Sequence, residues 1–190
     1  SPILIVGILG LIILSTFATN SSALDKNKEV ESKNNNISFE ETIAEQFFYN
    51  CVLNVHDLQK IEYISKFLDW ENVDNDTYDA IIAPMEGKNG KAWAVLDYEK
   101  TFFISINTGN ISSNIYNVCG LAVAKINTQN VVDILRTKLE LELIADDHTG
   151  FNRNRSFTFN IHGKEYLLDI VTSTAPSAKD FIGINVIKKQ

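Results

Sequence analysis

Asp146-Asp147-His148 is the densest run of proton-carrying side chains in this sequence. Two carboxylates beside an imidazole could hold a cation or supply a general base, because these groups change charge between acid and neutral pH. The same three residues also suit a solvated connection. Asp146 to Asn154 therefore reads as a polar loop between a helix and a strand, with Asp146, Asp147 and His148 kept as polar-site candidates. The remaining histidines, His56 and His162, do not stand at the i, i+3 or i, i+4 spacing of a metal-binding helix pair. Glu86-Gly87-Lys88-Asn89-Gly90-Lys91 shares only composition with a phosphate-binding loop. It lacks the Walker spacing and precedes a strand, so it reads as a turn. No G-x-S-x-G or S-x-x-K motif occurs. Nothing in these patterns calls for a catalytic residue, a metal or a cofactor.

Cys51 and Cys119 are the only cysteines. An even number suits a disulfide if the chain is exported, and a bridge closing about 70 residues would stabilise the fold by about 4 kcal/mol in the loop-entropy account. The competing reading is two separate buried thiols that pack as small hydrophobes. Trp70, Glu71, Asp74 and Asp76 form an aromatic-acidic group near the end of a helix, where an exposed patch could take a protein partner. Trp93, flanked by alanines, reads as core. Tyr98, Phe102 and Phe103 crowd one hairpin.

These residues must be positioned by a domain of about residues 37–190. Ser38 and Glu41 form a capping box. Ile43, Phe47, Phe48, Cys51, Val52 and Val55 then recur at helical spacing on one face. Asp57 starts a second helix with Leu58, Ile61, Ile64 and Leu68 inward. Asp76 caps a short turn carrying Tyr78, Ile81 and Ile82, which Pro84 ends. The period then becomes two. Ala92–Leu96, Thr101–Ile106 and Asn117–Ala124 read as strands, with a polar loop from Asn107 to Asn114. Asn127 or Thr128 caps a long helix whose buried stripe is Val132, Leu135, Leu139 and Leu143. Three more strands follow, around Phe157–Ile161, Lys164–Thr172 and Phe181–Ile187, the first pair joined at His162-Gly163. Short connections make the pairing antiparallel. The expected fold is α+β: an antiparallel sheet of about six strands with helices packed on one face and a helical N-terminal segment. Strand triplets on either side of a helix suggest an internal duplication, without a residue-level repeat.

Residues 1–23 have the pattern of a signal peptide. Ile3 to Leu14 are apolar apart from two glycines, and no charge appears before Asp25. About a dozen apolar residues fall short of the roughly 20 that span a bilayer, so the mature chain is expected to carry no stable span. The alternative is an uncleaved anchor. Cleavage is placed after Ala23, with Ala18 as the second choice. The chain begins with Ser1 and lacks a basic region before the apolar run, which reads as a missing start. Residues 24–36, rich in Lys, Glu, Ser and Asn, read as a flexible linker.

The composition is that of a globular protein, 45% hydrophobic and 22% charged, with a formal net charge of -7. Acidity and scattered cations argue against nucleic acid as a partner. They suit a soluble surface or a basic protein partner.

Phe47-Phe48-Tyr49-Asn50-Cys51-Val52 on a helix, Gly90-Lys91-Ala92-Trp93-Ala94-Val95 opening a sheet, and Val118-Cys119-Gly120-Leu121 before a long helix together resemble an uncharacterised family of small exported proteins and lipoproteins of Gram-negative bacteria. The resemblance covers most of the chain after the linker. It implies periplasmic or extracellular location and makes the two cysteines shared structural positions. This chain lacks the lipid-acceptor Cys of the lipoprotein members, and the family brings no catalytic residues to carry over. The leading expectation is a non-enzymatic exported binding protein with a protein partner in the cell envelope. A narrower version is an immunity protein that neutralises a basic secreted toxin. The alternatives are a cell-envelope hydrolase using Asp146, Asp147 or His148, and a carrier holding a small molecule or lipid against the sheet.

Overall fold

The computed structural model describes residues 37–74, 90–97, 100–111 and 114–190. The leader, the linker, Asp76 with its helical turn, Pro84, Tyr98 and most of the Glu86–Lys91 turn lie outside the described residues.

The capping box forms as the sequence requires. Ser38 Oγ accepts from the Glu41 N–H, and the Glu41 carboxylate accepts from the Ser38 N–H. Helix α1 (Phe39–Phe47) runs into a π-helical turn, Phe48–Val52, in which the Leu53 N–H reaches back five residues to the Phe48 carbonyl. Along this stretch Ile43, Phe47, Cys51, Val52 and Val55 are buried, and Phe48 packs against the core while remaining half-buried. Helix α2 (Leu58–Phe67) is capped by the Asp57 side chain. Its buried face is Ile61 and Ser65. The expected inward stripe is rotated at its end: Ile64 is half-buried and Leu68 is exposed.

The sheet has eight strands rather than six: β1 (Glu71–Asn72), β2 (Lys91–Asp97), β3 (Lys100–Ile111), β4 (Asn114–Val123), β5 (Glu142–Thr149), β6 (Asn152–Ile161), β7 (Lys164–Ser173) and β8 (Phe181–Lys189). The order is β1-β2-β3-β4-β8-β7-β6-β5, and every pair is antiparallel. The polar stretch from Asn107 is mostly strand, because β3 and β4 continue their ladder to Ile111 and Asn114. The other correction concerns the long helix. Helix α3 (Thr128–Leu139), capped by Asn127, stops at Glu140, whose left-handed backbone (φ 52°) cannot continue it. Leu143 consequently leaves the helical stripe and lies on β5, 48% exposed. Asp146 to Asn154 is then no loop. It is the end of β5, a Gly150-Phe151 turn and the start of β6. At the next hairpin, His162 and Gly163 both take positive φ, 51° and 73°, as a two-residue turn between strands requires.

The chain thus makes two four-stranded meanders, β1–β4 and β5–β8, each preceded by helix. They are sewn together by β4 and β8, with Cys119 opposite Val186 and Gly120 opposite Asn185. One sheet face carries Phe102, Ile104, Ile106, Cys119, Leu121, Phe157, Leu168, Ile170, Ile182, Ile184 and Val186, all buried with α1 and α3 in one apolar cluster. Cys51 and Cys119 are joined by a disulfide across 68 residues. No described helix is long and apolar enough to cross a membrane.

Because the bridge links the helical layer to the centre of the sheet, replacing both cysteines by alanine should lower the unfolding free energy by about 4 kcal/mol, on the loop-entropy account. Urea unfolding of the oxidised protein, the reduced protein and the double variant checks this. The reduced protein should lie close to the double variant.

Candidate functional site

Trp70 follows α2 through Asp69, whose positive φ (53°) turns the chain away from the helix. The Trp70 N–H returns to the Ser65 carbonyl at 2.9 Å, and its ring leans against Trp93 with centroids 6.3 Å apart. Glu71 and Asn72 then pair with Ala94 and Trp93 of β2. Because β1 is only two residues long, the space beside the far half of β2 is left open. A cleft of about 550 Å³ lies there, lined by Gln46, Leu68, Trp70, Ala94, Leu96 and Thr101, with Asp69, Glu71 and Asp97 supplying carboxylates. A second cleft, about 290 Å³, meets the first at Asp69 and Trp70. It includes Glu62 and Lys91, which form an ion pair at 2.6 Å.

Large apolar side chains are exposed on α2 and in the wall of the larger cleft. Tyr63 and Phe67 stand one helical turn apart, 68% and 76% exposed, with rings stacked at 6.4 Å. Leu68 and Leu96 are also exposed. Spacing alone could have shown Tyr63 and Phe67, since both fall off the Ile61–Ser65 face. Leu68 was hidden because helical periodicity places it inward, whereas the helix ends before it can be buried. Of the aromatic-acidic group, Trp70 and Glu71 are together at the cleft. Asp74 is exposed just after β1, and Asp76 lies outside the described residues.

Asp146, Asp147 and His148 do not converge. They lie on consecutive positions of the edge strand β5, and strand alternation sends them to opposite faces. Asp146 and His148 stand opposite Arg155 and Arg153 on the helix side, while Asp147 stands opposite Asn154 on the other. Arg153 forks both oxygens of Asp146, with Nε–Oδ1 at 2.8 Å. This hydrogen bond, opposed by burial and helped by the charges of Arg153, His148 and Arg155, holds the Asp146 carboxyl below its usual range. Among the described residues no group of His, Cys, Asp and Glu has the proximity to hold a metal.

The sheet face opposite α1 and α3 holds a polar row in strict register: Ser105, Gly120, Asn185, Asp169 and Ser156. Gly120 leaves room there for its neighbours' side chains. A Cβ would collide with Asn185 Oδ1 and come within 2.9 Å of Ser105 Oγ. Burial pushes the Asp169 carboxyl up, and the 2.6 Å hydrogen bond donated by Ser156 Oγ offsets this only in part.

Comparison with protein families, with curated proteins and with solved structures finds no match for this chain. Trp70 and its clefts are therefore the candidate site on geometry alone.

The two shifted carboxyls give opposite pH responses. Asp169 keeps its proton to higher pH in the folded chain than in the unfolded one, so its contribution falls as pH rises from the ordinary carboxyl range through the raised folded value. Asp146 stabilises above the ordinary range and loses that effect as pH falls through its lowered value. Asp169→Asn should raise the melting temperature at pH 7 and abolish the loss on the alkaline side of the Asp169 titration. Thermal unfolding from pH 3 to 8 is the check, and a lower melting temperature for the variant at pH 7 would contradict this account.

Proposed function

We propose that this protein is a non-enzymatic binding protein of an exported compartment, periplasmic or at the cell surface, and that it docks a protein partner on the Trp70 surface. The observation that carries the reading is the meeting of two clefts at one half-buried tryptophan, with exposed Leu68 and Leu96 in the wall of the larger and the exposed Tyr63–Phe67 pair on the same helix, α2. Large exposed apolar groups clustered around an aromatic anchor are the composition of a binding hot spot. The carboxylates of Asp69, Glu71 and Asp97 favour a partner that presents an apolar patch ringed by Lys or Arg. A basic secreted toxin neutralised by an immunity protein is the narrower form of this reading, and the same acidic rim supports it. The disulfide and the leader-like pattern of residues 1–23 favour export. The sequence resemblance to small exported proteins of Gram-negative bacteria agrees with that compartment. A hydrolase built on the β5 trio has less support, since its side chains diverge.

The test is affinity capture from envelope extracts of the source cell with wild type and three variants. Phe67→Ser and Leu68→Ser change exposed side chains and should leave the fold intact. Trp70→Ala should weaken a specific partner by about 30-fold or more, a hot-spot loss of at least 2 kcal/mol. The two serine variants should weaken it in the same direction. A partner captured equally by all four proteins, or none captured, would overturn this reading.

A further inference from the structure

Arg155 is 7% exposed, although charged side chains are rarely enclosed without a partner. It lies on the helix side of β6, between Asp146 of β5 and Ile170 of β7. Its Nε is sealed from solvent and makes no hydrogen bond. The carboxylates near enough to act on it are Asp146 and Asp133. Both are already engaged. Asp146 is forked by Arg153, and Asp133 accepts from Gln129 Nε2 at 2.8 Å. The other charges acting on Arg155 are the guanidiniums of Arg153 and Arg136. Burial, and then the nearby Arg153, lower its pKa, so the environment opposes the cation it must hold.

A buried guanidinium nitrogen left without a hydrogen bond is costly, and the two carboxylates that act on Arg155 are held by other donors. Three arginines against two carboxylates leave a local positive excess in a chain of net charge -7. A planar guanidinium fork matches the paired oxygens of a carboxylate or phosphate. We infer that Arg155 is an anion-binding residue, and that the corner of β5, β6 and α3 takes a small oxyanion or an oxyanion-bearing ligand, with Arg153 and Arg136 beside it. Carboxylate and phosphate share this chemistry and are separated by experiment.

Inorganic phosphate and acetate are each titrated into the intact protein at ionic strength fixed with chloride. Melting temperature and the NMR signal of the Arg155 Nε–H are followed. A saturable rise in melting temperature with a matching shift of that signal is expected for at least one anion. The anion that saturates at the lower concentration names the class. Arg155→Met should weaken the response about tenfold or more, the loss of one charged hydrogen-bonding group. Asp146→Asn changes a carboxylate on the exposed edge strand and releases Arg153, so it should tighten binding. Arg153→Gln releases Asp146 toward Arg155 and should weaken it. The inference is overturned if neither anion gives a saturable response beyond chloride, or if Arg155→Met and Asp146→Asn respond as wild type does.

Discussion

Two four-stranded meanders share one core only because β4 and β8 run side by side from Tyr116 opposite Lys189 to Val123 opposite Ile182. Without that seam, each meander would expose its inner edge and the apolar face beneath it, and four strands with one or two helices have little area to bury. The seam is also where the helical layer is anchored. Cys119, on β4 next to Gly120, is bonded to Cys51 at the π-turn after α1. Gly120 lets the opposite face close as well, since Asn185 and Ser105 occupy the space that any side chain would take. One strand position thus fixes the helix on one face while its neighbour fixes the polar row on the other.

The two outer edges are finished differently, and the difference decides where binding surfaces can arise. At one end β1 is a two-residue stub. It satisfies the first part of β2 and leaves the remainder as a cleft wall beside Trp70. At the other end β5 is eight residues long and exposed along its length. Such an edge invites pairing with another chain, and charged side chains and bulges are the usual defences. β5 has both: a register shift between Leu143 and Ala145, and Asp146-Asp147-His148 at its end. Density of polar side chains in a sequence is therefore a poor guide to chemistry when the element is a strand, because alternation disperses on two faces what the sequence places together.

Most of the architecture was legible in the sequence, for identifiable reasons. The capping box at Ser38, the caps at Asp57 and Asn127, the turn at His162-Gly163 and the alternating runs of β6 and β7 are local signals, and local interactions satisfy them. The Cys51–Cys119 bridge was one of two readings that the even cysteine count on inward-facing elements left open, and the structure joins the pair. What escaped was set by tertiary context. β5 looked like the tail of a helix followed by a loop because Leu139 and Leu143 keep helical spacing, and nothing but the left-handed Glu140 marks the break. β1 is too short for any periodicity to reveal. At the site, Trp70 and Glu71 were visible as an aromatic-acidic pair. The exposed ridge of Tyr63, Phe67 and Leu68 depended on where α2 rolls against the sheet, and the enclosed Arg155 on which face of β6 it occupies.

The positions of the two charged features have a physical consequence. Trp70 with Asp69, Glu71 and Asp97 belongs to the β1 end of the sheet, and Arg153 and Arg155 to the β5 end. Six strand spacings of about 4.8 Å separate β1 from β6, roughly 29 Å along the sheet. The Debye length at physiological ionic strength is about 8 Å, so neither cluster screens or competes with the other in water. A protein of net charge -7 can therefore draw a basic surface to one edge while offering a small cationic corner at the opposite edge. The two differ in how salt acts on them. The acidic rim is exposed, and its attraction falls as salt rises. Arg155 is enclosed, where screening is weak and desolvation dominates. A shared electrostatic origin would make both respond alike to ionic strength. The geometry instead separates them, through distance along the sheet and through burial.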